Sequence, residues 1–551
     1  MIKKHGLWYF IKYYNLIFHI LFGIVLFLMR NYVFEIICQL TNINDNSVLF
    51  GGVNALIYKA YQITVPVLLF VIWFLVFFTT TREKAYRYQT GRSFGYDSGH
   101  YKRTYGELVE YFKDADPMKM DTESLPTMSW KDSSGLIFGK YKNKLISYEP
   151  NKNGICAMVW GAPGDGKTTS TIITSCRQFG LKRNASGKLV QRGAVMVTDL
   201  KGDIYEANKK YRRIKRFSTI HWRESAHYDP LVDARKMQQN ERAIFLENLA
   251  ITIIPDEGGA DSKYFVDGAR DFFTGIALYL LNKNNSISFP DIIEEIVIGN
   301  YSKWVIEIMQ SDDKSAQAYT NHFYGENEKN VSGTYSKLVS SARLFCTDIM
   351  KTLLTNDENV ISPADLENCT DIYIQIDPNQ ITLMGPVIAM LYQAFMSAML
   401  YRKEGQDPPI AFVMDEFGQI PAMPVIAQSA ALMRAYNCSL LFSCQSLAMI
   451  EKHYGLAGRK LLMDCVKVNC FLSIMDPDTR DWASRLIGTR KVLKISNSEQ
   501  QTQNGTAGRS VSEAREKIFE PEAFGDLPNT DELVIYYKGK YIKAEKTYYF
   551  K

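Results

Sequence analysis

The sequence predicts an α/β protein with a mainly parallel sheet, an inserted all-α domain and a two-helix transmembrane anchor at the N-terminus. Three observations predict this fold class. A glycine-rich loop separates an apolar strand from a helix, further strand-length apolar runs alternate with helical segments, and two charge-free apolar runs precede them all. Continuous apolar strands that alternate with helices are typical of a parallel sheet covered on both faces. The 551 residues allow roughly two to four domains.

Charge and cysteine content exclude few functions. The formal net charge is only +5, so bulk charge does not indicate a nucleic-acid-binding protein, although a local basic surface stays open. The nine cysteines form no C-x-x-C pair, and the close pair Cys465 and Cys470 has no histidine nearby. A structural zinc site is therefore not expected.

The N-terminal residues 1–82 are predicted to form a membrane anchor. The apolar runs at 13–29 and 60–81 contain no charged side chain if His19 is neutral. A spanning helix needs about 17–25 residues, so the first run is at the short end and the second is long enough. A cleaved signal peptide would explain the first run alone, but no A-x-A-like site follows it. The alternative, two buried helices of a soluble domain, stays open.

The charges around these runs predict the orientation. Lysines precede the first run and basic residues follow the second, whereas the loop between the runs is poor in positive charge. The positive-inside rule then places both termini in the cytoplasm and the loop outside it. The expected location of the chain is the bacterial cytoplasmic membrane, in contact with lipid. Residues 83–132 are interpreted as a juxtamembrane linker, with some helix around residues 105–112.

The segment from Gly161 to Thr168 fits the pattern G-x-x-x-x-G-K-[ST] of phosphate-binding loops. An apolar run at 157–160 precedes it and a helical segment follows, so the backbone N–H groups and the helix dipole point at one place. Lys167 is expected to reach the β and γ phosphates, and the Thr168 hydroxyl to bind Mg²⁺. The predicted ligands are ATP and Mg²⁺, and the predicted nucleotide-binding residues are Gly161, Ala162, Pro163, Gly164, Asp165, Gly166, Lys167, Thr168 and Thr169.

Polar residues follow several of the predicted strands. The run at 410–414 ends at Asp415 and Glu416. One carboxylate can support Mg²⁺, and the other can activate the attacking water. Gln445 ends the next strand and could contact the γ-phosphate, or it could be an ordinary loop glutamine. Arg434 lies between these strands and could reach a neighbouring subunit's nucleotide, or it could be a solvated helix-face arginine.

The distance in sequence from Lys167 to Asp415 exceeds what one compact nucleotide-binding core needs. Residues 287–356 carry helix-like segments without strong strand runs, so they are predicted to form the inserted all-α domain. The nucleotide-binding domain then comprises residues 133–286 and 357–551. The role of the insertion, whether it faces DNA or substrate or is purely structural, stays open.

Several spaced motifs resemble those of the type IV coupling proteins, the TraG/TraD-like ATPases of conjugation and type IV secretion. The resemblance covers roughly residues 135–548. Its motifs are the phosphate loop, Asp199-Leu200-Lys201-Gly202-Asp203, Asp229-Pro230-Leu231, Asp415-Glu416-Phe417, Arg434-Ala435-Tyr436-Asn437, Gln445-Ser446-Leu447 and Tyr454-Gly455. Three positions depart conservatively from the family pattern: Asp203 stands where Glu is usual, Asp229 where Asn is usual, and Asn437 where Gly is usual.

This resemblance implies a RecA-like P-loop NTPase core with an inserted all-α domain, in a membrane-anchored homo-hexamer around a central channel. It implies that ATP hydrolysis is coupled to export of single-stranded DNA bound to a relaxase, or of protein effectors, through a type IV secretion channel. Lys167 and Thr168 would bind phosphate and Mg²⁺, and Asp415 would support the metal. Glu416 would activate water, Gln445 would sense the γ-phosphate, and Arg434 would act as a finger in trans.

Two other functions remain to be separated from this one. An FtsK-like DNA translocase would share the motor core, but no room is apparent for a winged helix after the last predicted strand. A docking receptor would recruit relaxase or effectors and use nucleotide only to assemble. Residues 496–508 are interpreted as a mobile surface loop. Basic residues preceding it could line a DNA path or form a solvated face; they are Arg480, Arg485, Arg490, Lys491 and Lys494.

Overall fold

The computed structural model describes residues 16–40, 56–57, 59–60, 62–75, 101–104, 107–111, 119–120, 127–128, 133–256, 260–499 and 507–550. They divide into two units. One unit combines Met1–Pro117 with Thr489–Ile518, and the other combines Met118–Gly488 with Phe519–Lys551. Residues from distant parts of the sequence therefore build each unit.

The strands are numbered along the chain as β1 (Tyr101–Thr104), β2 (Glu107–Tyr111), β3 (Thr127–Met128), β4 (Leu136–Tyr141), β5 (Lys144–Tyr148), β6 (Cys156–Trp160), β7 (Leu181–Arg183), β8 (Leu189–Gln191), β9 (Ala194–Thr198), β10 (Ile214–Ser218), β11 (Asp371–Gln375), β12 (Ile410–Met414), β13 (Cys438–Cys444), β14 (Val468–Phe471), β15 (Thr489–Glu499), β16 (Ala507–Lys517), β17 (Glu532–Tyr537) and β18 (Lys540–Glu545). The α-helices are α1 (Leu16–Leu40), α2 (Gln62–Leu75), α3 (Ile173–Gln178), α4 (Asp203–Asn208), α5 (Gln239–Ile253), α6 (Ala260–Lys283), α7 (Phe289–Ile298), α8 (Tyr301–Met309), α9 (Lys314–Thr320), α10 (Glu328–Ala342), α11 (Asp348–Leu353), α12 (Pro363–Glu367), α13 (Gly385–Met399), α14 (Pro424–Ser429), α15 (Leu447–Cys465), α16 (Pro477–Ile487) and α17 (Ala523–Asp526).

One N-terminal helix is long and apolar enough to cross a membrane, among the residues that the structure describes. Its portion Ile20–Leu40 has a mean hydropathy of 1.9 and is not buried by the rest of the protein. The helix extends past residue 29, where the predicted span ends, to residue 40, and the bounds of the span stay a prediction. Arg30 lies within this helix, with its guanidinium 4.1 Å from the centroid of the Phe27 ring.

The second predicted span, 60–81, corresponds in part to the shorter apolar helix α2. Residues 76–81 lie outside the described residues, so the two-span anchor stays a prediction. The two helices approach each other at Gly23, where a Cβ atom would lie 3.1 Å from Trp73 Nε1. A side chain at this position would therefore have to displace the indole ring.

A four-stranded antiparallel sheet has the order β1-β2-β15-β16, so that β1 and β2 join strands from much later in the chain. The helix expected around residues 105–112 is wrong, because residues 107–111 form β2 and Leu108 pairs with Ile495. The loop expected at 496–508 is also corrected. Residues 496–499 and 507–508 belong to a hairpin, and 500–506 lie outside the described residues. Pairing with partners almost 400 residues away overrides the local sequence preference.

The candidate nucleotide-binding loop follows a strand of a twelve-stranded sheet. Its order is β10-β11-β9-β12-β13-β6-β14-β17-β18-β4-β5-β3, and the first seven strands are parallel. Strands β6, β9, β11, β12 and β13 are buried throughout. The strand-length apolar runs of the sequence are confirmed as these central strands. Their burial explains why they are continuously apolar rather than alternating.

The parallel register aligns the carboxyl ends of these strands. Trp160 pairs with Cys444, and Met414 pairs with both Phe442 and Thr198. The residues that follow these strand ends therefore share one edge of the sheet. Open α/β sheets bind ligands at this edge.

The helices α5 to α12 lie between β10 and β11. Helix α6 packs against α5, α9 and α10, and α5 also packs against α13. Aromatic rings fill the interior of this group: the Phe272 ring stacks on Phe323 with centroids 3.9 Å apart, and meets Tyr335 edge-on. The predicted insertion at 287–356 thus packs against the helices at 239–283, which precede it. Its boundaries, and those of the other predicted domains, stay predictions.

Candidate nucleotide-binding site

The phosphate-binding loop follows β6 and leads into a wide helical turn, Lys167–Ile172, which continues as α3. Gly164 and Gly166 have φ angles of 88° and 90°, a left-handed conformation that favours glycine. At Gly161, a Cβ atom would lie 2.9 Å from Lys167 Cγ, so glycine makes room for the lysine stem. The sequence pattern therefore reports the backbone geometry that the loop needs.

Lys167 is buried and turned back over the loop. Its ammonium donates to the carbonyl oxygens of Gly161 at 2.8 Å and Ala162 at 3.2 Å. A buried cation surrounded by backbone dipoles is positioned to receive an anion. The predicted binding residues of the loop lie together here, and Thr169 follows with its hydroxyl 3.4 Å from Gly166 O.

The Asp165 side chain folds back onto the loop. Its Oδ2 atom accepts from the N–H of Ala162 at 3.1 Å and from the Ser473 hydroxyl. The Ala162 N–H also donates to Ser473 Oγ at 2.9 Å. Ser473, which follows β14, carries no pattern that could have identified it in the sequence. These bonds give Asp165 a role in shaping the loop.

Thr168 and Asp415 meet across the sheet edge. The Thr168 hydroxyl donates to Asp415 Oδ2 at 2.7 Å, and the Ser443 hydroxyl donates to Asp415 Oδ1 at 2.5 Å. Burial raises the pKa of Asp415, while the hydrogen bonds from Ser443 and Thr168 lower it. A hydroxyl and a carboxylate at this separation offer the hard oxygen ligands that Mg²⁺ prefers, so both residues fit the predicted metal site.

Glu416 adopts a left-handed backbone conformation, with φ 53° and ψ 38°. This conformation is strained for a residue other than glycine, and such strain clusters at functional sites. Its N–H donates to Ser443 Oγ at 3.0 Å and to Asp415 Oδ1 at 3.1 Å, which ties the two carboxylate residues together.

The Glu416 carboxylate is held by three neighbours. Oε2 accepts from Gln445 Nε2 at 3.3 Å and from Gln419 Nε2 at 3.2 Å, and Oε1 lies 3.8 Å from Lys201 Nζ. The predicted pair Glu416 and Gln445 is thus brought together. Lys201, which entered the sequence analysis only through a family motif, is a further residue at the site.

Asp199 organises the turn that carries Lys201. Its carboxylate accepts from the N–H groups of Gly202 at 2.9 Å and Tyr205 at 2.7 Å, at the start of α4. Burial raises the pKa of Asp199 to about 6, the backbone hydrogen bonds oppose this shift, and the charge of Asp415 adds to it. A position directly after a buried strand is the signal that could have identified Asp199 without a family motif.

Arg434 does not join these residues within one chain. It is exposed, and its carbonyl accepts from the N–H of Gly154, before β6 begins. This is the edge where the strands start, opposite the phosphate loop. Asn437, three residues on, has φ 58° and so supplies the left-handed conformation that a glycine would otherwise supply. A role for Arg434 in catalysis would therefore require a neighbouring subunit.

The chain matches a family model described as type IV secretory system conjugative DNA transfer over residues 114–551. Protein VirD4 of Rhizobium radiobacter is 23% identical over 433 residues, which cover 76% of this chain and 60% of that protein. Protein VirD4 of Agrobacterium fabrum (strain C58 / ATCC 33970) is 22% identical over 432 residues, 76% of this chain and 62% of that protein. The chain thus matches about 60% of the length of these curated relatives.

Solved structures with the same fold include the bacterial conjugative coupling protein TrwBdeltaN70 in an unbound form. It has a TM-score of 0.57 at 13% identity, over 80% of this chain and 96% of that chain. The plasmid coupling protein TrwB in complex with ADP and Mg²⁺ has a TM-score of 0.54 at 12% identity, over 72% and 86% of the two chains. The fold is therefore that of TrwB, with a largely parallel mixed sheet. Since the family model matches most of the sequence, the chain belongs to the type IV coupling proteins of conjugative DNA transfer.

Proposed function

We propose that the chain is a membrane-anchored ATPase that couples ATP hydrolysis to the recruitment and export of a transfer substrate. The substrate is single-stranded DNA bound to a relaxase, or a protein, and it leaves through a conjugative type IV secretion system. The observation that carries the proposal is the contact between Thr168 and Asp415 at 2.7 Å, with the Glu416 carboxylate beside it. Nucleotide binding alone would not require a second carboxylate at this edge of the sheet, carried by a residue with a strained backbone.

The loop residues 161–169 would bind the phosphates of ATP through their N–H groups. Lys167 would exchange its two carbonyl partners for β and γ phosphate oxygens. Thr168 and Asp415 would hold Mg²⁺, and the buried Asp415 carboxylate has its second oxygen already bonded to Ser443. Magnesium bound here would neutralise part of the charge that develops on the phosphate oxygens.

Glu416 would accept the proton of the attacking water. The amides of Gln445 and Gln419 orient its carboxylate, so the base is preorganised rather than free to rotate. Because Gln445 follows β13 and contacts Glu416, it is suited to sense the γ-phosphate and transmit its loss to the neighbouring strand. Lys201 would hold the other oxygen of Glu416 from the side of β9.

The remaining elements of the proposal concern the assembly. A homo-hexamer in the bacterial cytoplasmic membrane would place Arg434 of one subunit at the nucleotide of the next, where its charge would stabilise the transition state. Helix α1 would contribute to the lipid anchor. Partners would be the relaxase with its associated proteins and components of the secretion channel. The exposure of Arg434 at the edge opposite its own site supports this arrangement.

The test is steady-state ATP hydrolysis by the full-length protein in lipid, measured across protein concentration with and without single-stranded DNA. Turnover that rises with concentration and DNA, and is abolished in Glu416→Gln with nucleotide binding intact, is expected. Nucleotide binding without turnover, even with DNA and relaxase present, would contradict the motor and favour the docking receptor.

A further inference from the structure

The end of the chain returns to the phosphate loop. After β18, Lys546 Nζ donates to Asp165 O at 3.1 Å, and the N–H of Tyr549 donates to Thr169 O at 3.1 Å. We refer to residues 546–549 as the C-terminal segment. Its Tyr548 ring lies close to Gly166, where a Cβ atom would be 3.3 Å from Tyr548 Cε1. The segment thus contacts the loop at its middle and just past its end.

The order of strands in the sheet places different residues on the two sides of the phosphate loop. Strands β13 and β12, on one side of β6, carry Gln445, Glu416 and Asp415 to the site. Strands β14, β17 and β18 lie on the other side, and the C-terminal segment continues from β18. Since the carboxylates mark where the terminal phosphate reacts, the phosphate chain extends from there towards the opposite side. The nucleoside would therefore emerge beside the C-terminal segment.

The chemistry of the segment suits a nucleoside. The Tyr548 ring is half-buried, stacks on Phe550 with centroids 5.3 Å apart, and donates its hydroxyl to Asp531 Oδ1 at 3.2 Å. These contacts fix the plane of the ring. An aromatic ring of this kind can stack on any nucleobase, because every base has a π-face.

The residue before Tyr548 in the chain carries a further polar group. The Thr547 hydroxyl is buried and has no hydrogen-bond partner among the residues that the structure describes. Buried polar groups are normally satisfied, so an unpartnered hydroxyl in a segment that contacts the phosphate loop is available to a polar group of the ligand. A ribose hydroxyl or a base edge would serve.

We propose that the C-terminal segment forms the nucleoside side of the nucleotide site, with the Tyr548 ring packing against the base or ribose. Lys546 is a positioning residue that holds the Asp165 carbonyl and so the shape of the loop. This inference rests on the proposed function, in which the loop binds ATP. It adds the residues that recognise the part of ATP that the phosphate loop does not touch.

The experiment compares two ligands, ATP and inorganic tripolyphosphate, which share the phosphates but not the nucleoside. Dissociation constants are measured calorimetrically with Mg²⁺ on the full-length protein in detergent, for the wild type, Tyr548→Ala and Tyr548→Phe. Stacking of a base on an aromatic ring changes affinity by roughly 5- to 150-fold on alanine substitution. Tyr548→Ala is expected to raise the dissociation constant of ATP by that factor and to change the dissociation constant of tripolyphosphate by less than about twofold. Tyr548→Phe keeps the ring and is expected to retain most of the ATP affinity.

The control is Tyr401→Ala, which removes a 92% exposed tyrosine that follows α13 and should change neither constant. Equal losses for both ligands in Tyr548→Ala would show that the segment only supports the loop, and this result would overturn the inference. Unchanged ATP affinity would overturn it as well. If the wild type and Lys167→Ala fail alike to bind either ligand, the proposed function itself falls, and the inference falls with it.

Discussion

Ser443 offers a sharp test of how the two carboxylates are held. Its side chain is fully buried at the end of β13, donates to Asp415 Oδ1 and accepts from the N–H of Glu416. Ser443→Ala removes both bonds without changing the loop that carries Lys167. The substitution therefore separates carboxylate placement from phosphate binding.

The magnitude follows from these contacts. A hydrogen bond to a charged group contributes about 1.5–3 kcal/mol. The substitution also removes the bond from the Glu416 N–H to Ser443. This N–H keeps its bond to Asp415 Oδ1 at 3.1 Å, so the second lost bond adds little to the destabilisation. We expect Ser443→Ala to lower the free energy of unfolding by about 2 kcal/mol and kcat by roughly 10- to 100-fold, since a comparable free energy is lost in positioning. The dissociation constant of ATP should change by less than about threefold.

The pH profile carries a further signature. Burial raises the pKa of Asp415, and the hydrogen bond from Ser443 is the largest opposing influence. Its removal must raise that pKa further. The acid limb of the kcat profile should consequently move to higher pH in Ser443→Ala, because the ionised carboxylate is needed at the site.

The assays are urea unfolding and steady-state hydrolysis from pH 5 to 8 on the full-length protein in lipid. Ser439→Ala is the matched control, since Ser439 is equally buried in the same strand but accepts from Ile155 N–H at the opposite end. It should cost some stability without lowering kcat or shifting the acid limb. Equal losses of kcat in the two variants would refute the reasoning.

Three other predictions concern the assembly, the pH dependence and the core. Arg434→Ala should abolish turnover, and mixing it with Glu416→Gln subunits should restore activity at mixed interfaces, as measured by hydrolysis against mixing ratio; no restoration would argue against action in trans. Burial raises the pKa of Asp199 from 3.8 to about 6, so its contribution to stability is fully present below about pH 4 and is lost as the pH rises through 6. Between pH 4 and 7, the free energy of unfolding of the wild type should therefore fall by up to about 3 kcal/mol relative to that of Asp199→Asn, as measured by urea unfolding. Parallel plots of this free energy against pH for the two proteins would contradict the prediction. Arg212→Met leaves the fully buried Asp371 carboxylate unpaired and should destabilise the protein by about 3–5 kcal/mol, whereas Arg212→Met with Asp371→Leu should cost much less in the same assay.

The central strands and the loop could be predicted because their signals are local. A run such as 410–414 is apolar at every position, and the structure forms β12 over these same residues. The glycines of the phosphate loop report φ angles that other residues rarely adopt. Glu416 and Gln445 were predicted from their places after strands, and the parallel register then brings their side chains into contact.

The contacts that depend on distant pairing could not be predicted. Strand β2 has a sequence compatible with a helix, and becomes a strand through pairing with β1 on one side and the distant β15 on the other. Ser443 and Ser473 look like ordinary small polar residues until the fold places them against Asp415 and Asp165. The packing of the helices at 239–283 against those at 289–342 likewise leaves no mark in the local sequence.

The sequence by itself determined the apolar strands, the phosphate-binding loop, the carboxylates at a strand end and an apolar N-terminal helix. Each of these depends on composition and period within a few neighbouring residues. Only the tertiary structure decided which strand ends share an edge, that Thr168 touches Asp415, that Arg434 lies at the opposite edge, and that the C-terminal segment returns to the loop. Those contacts join residues far apart in the chain, and their partners are chosen by the packing and register of the whole sheet.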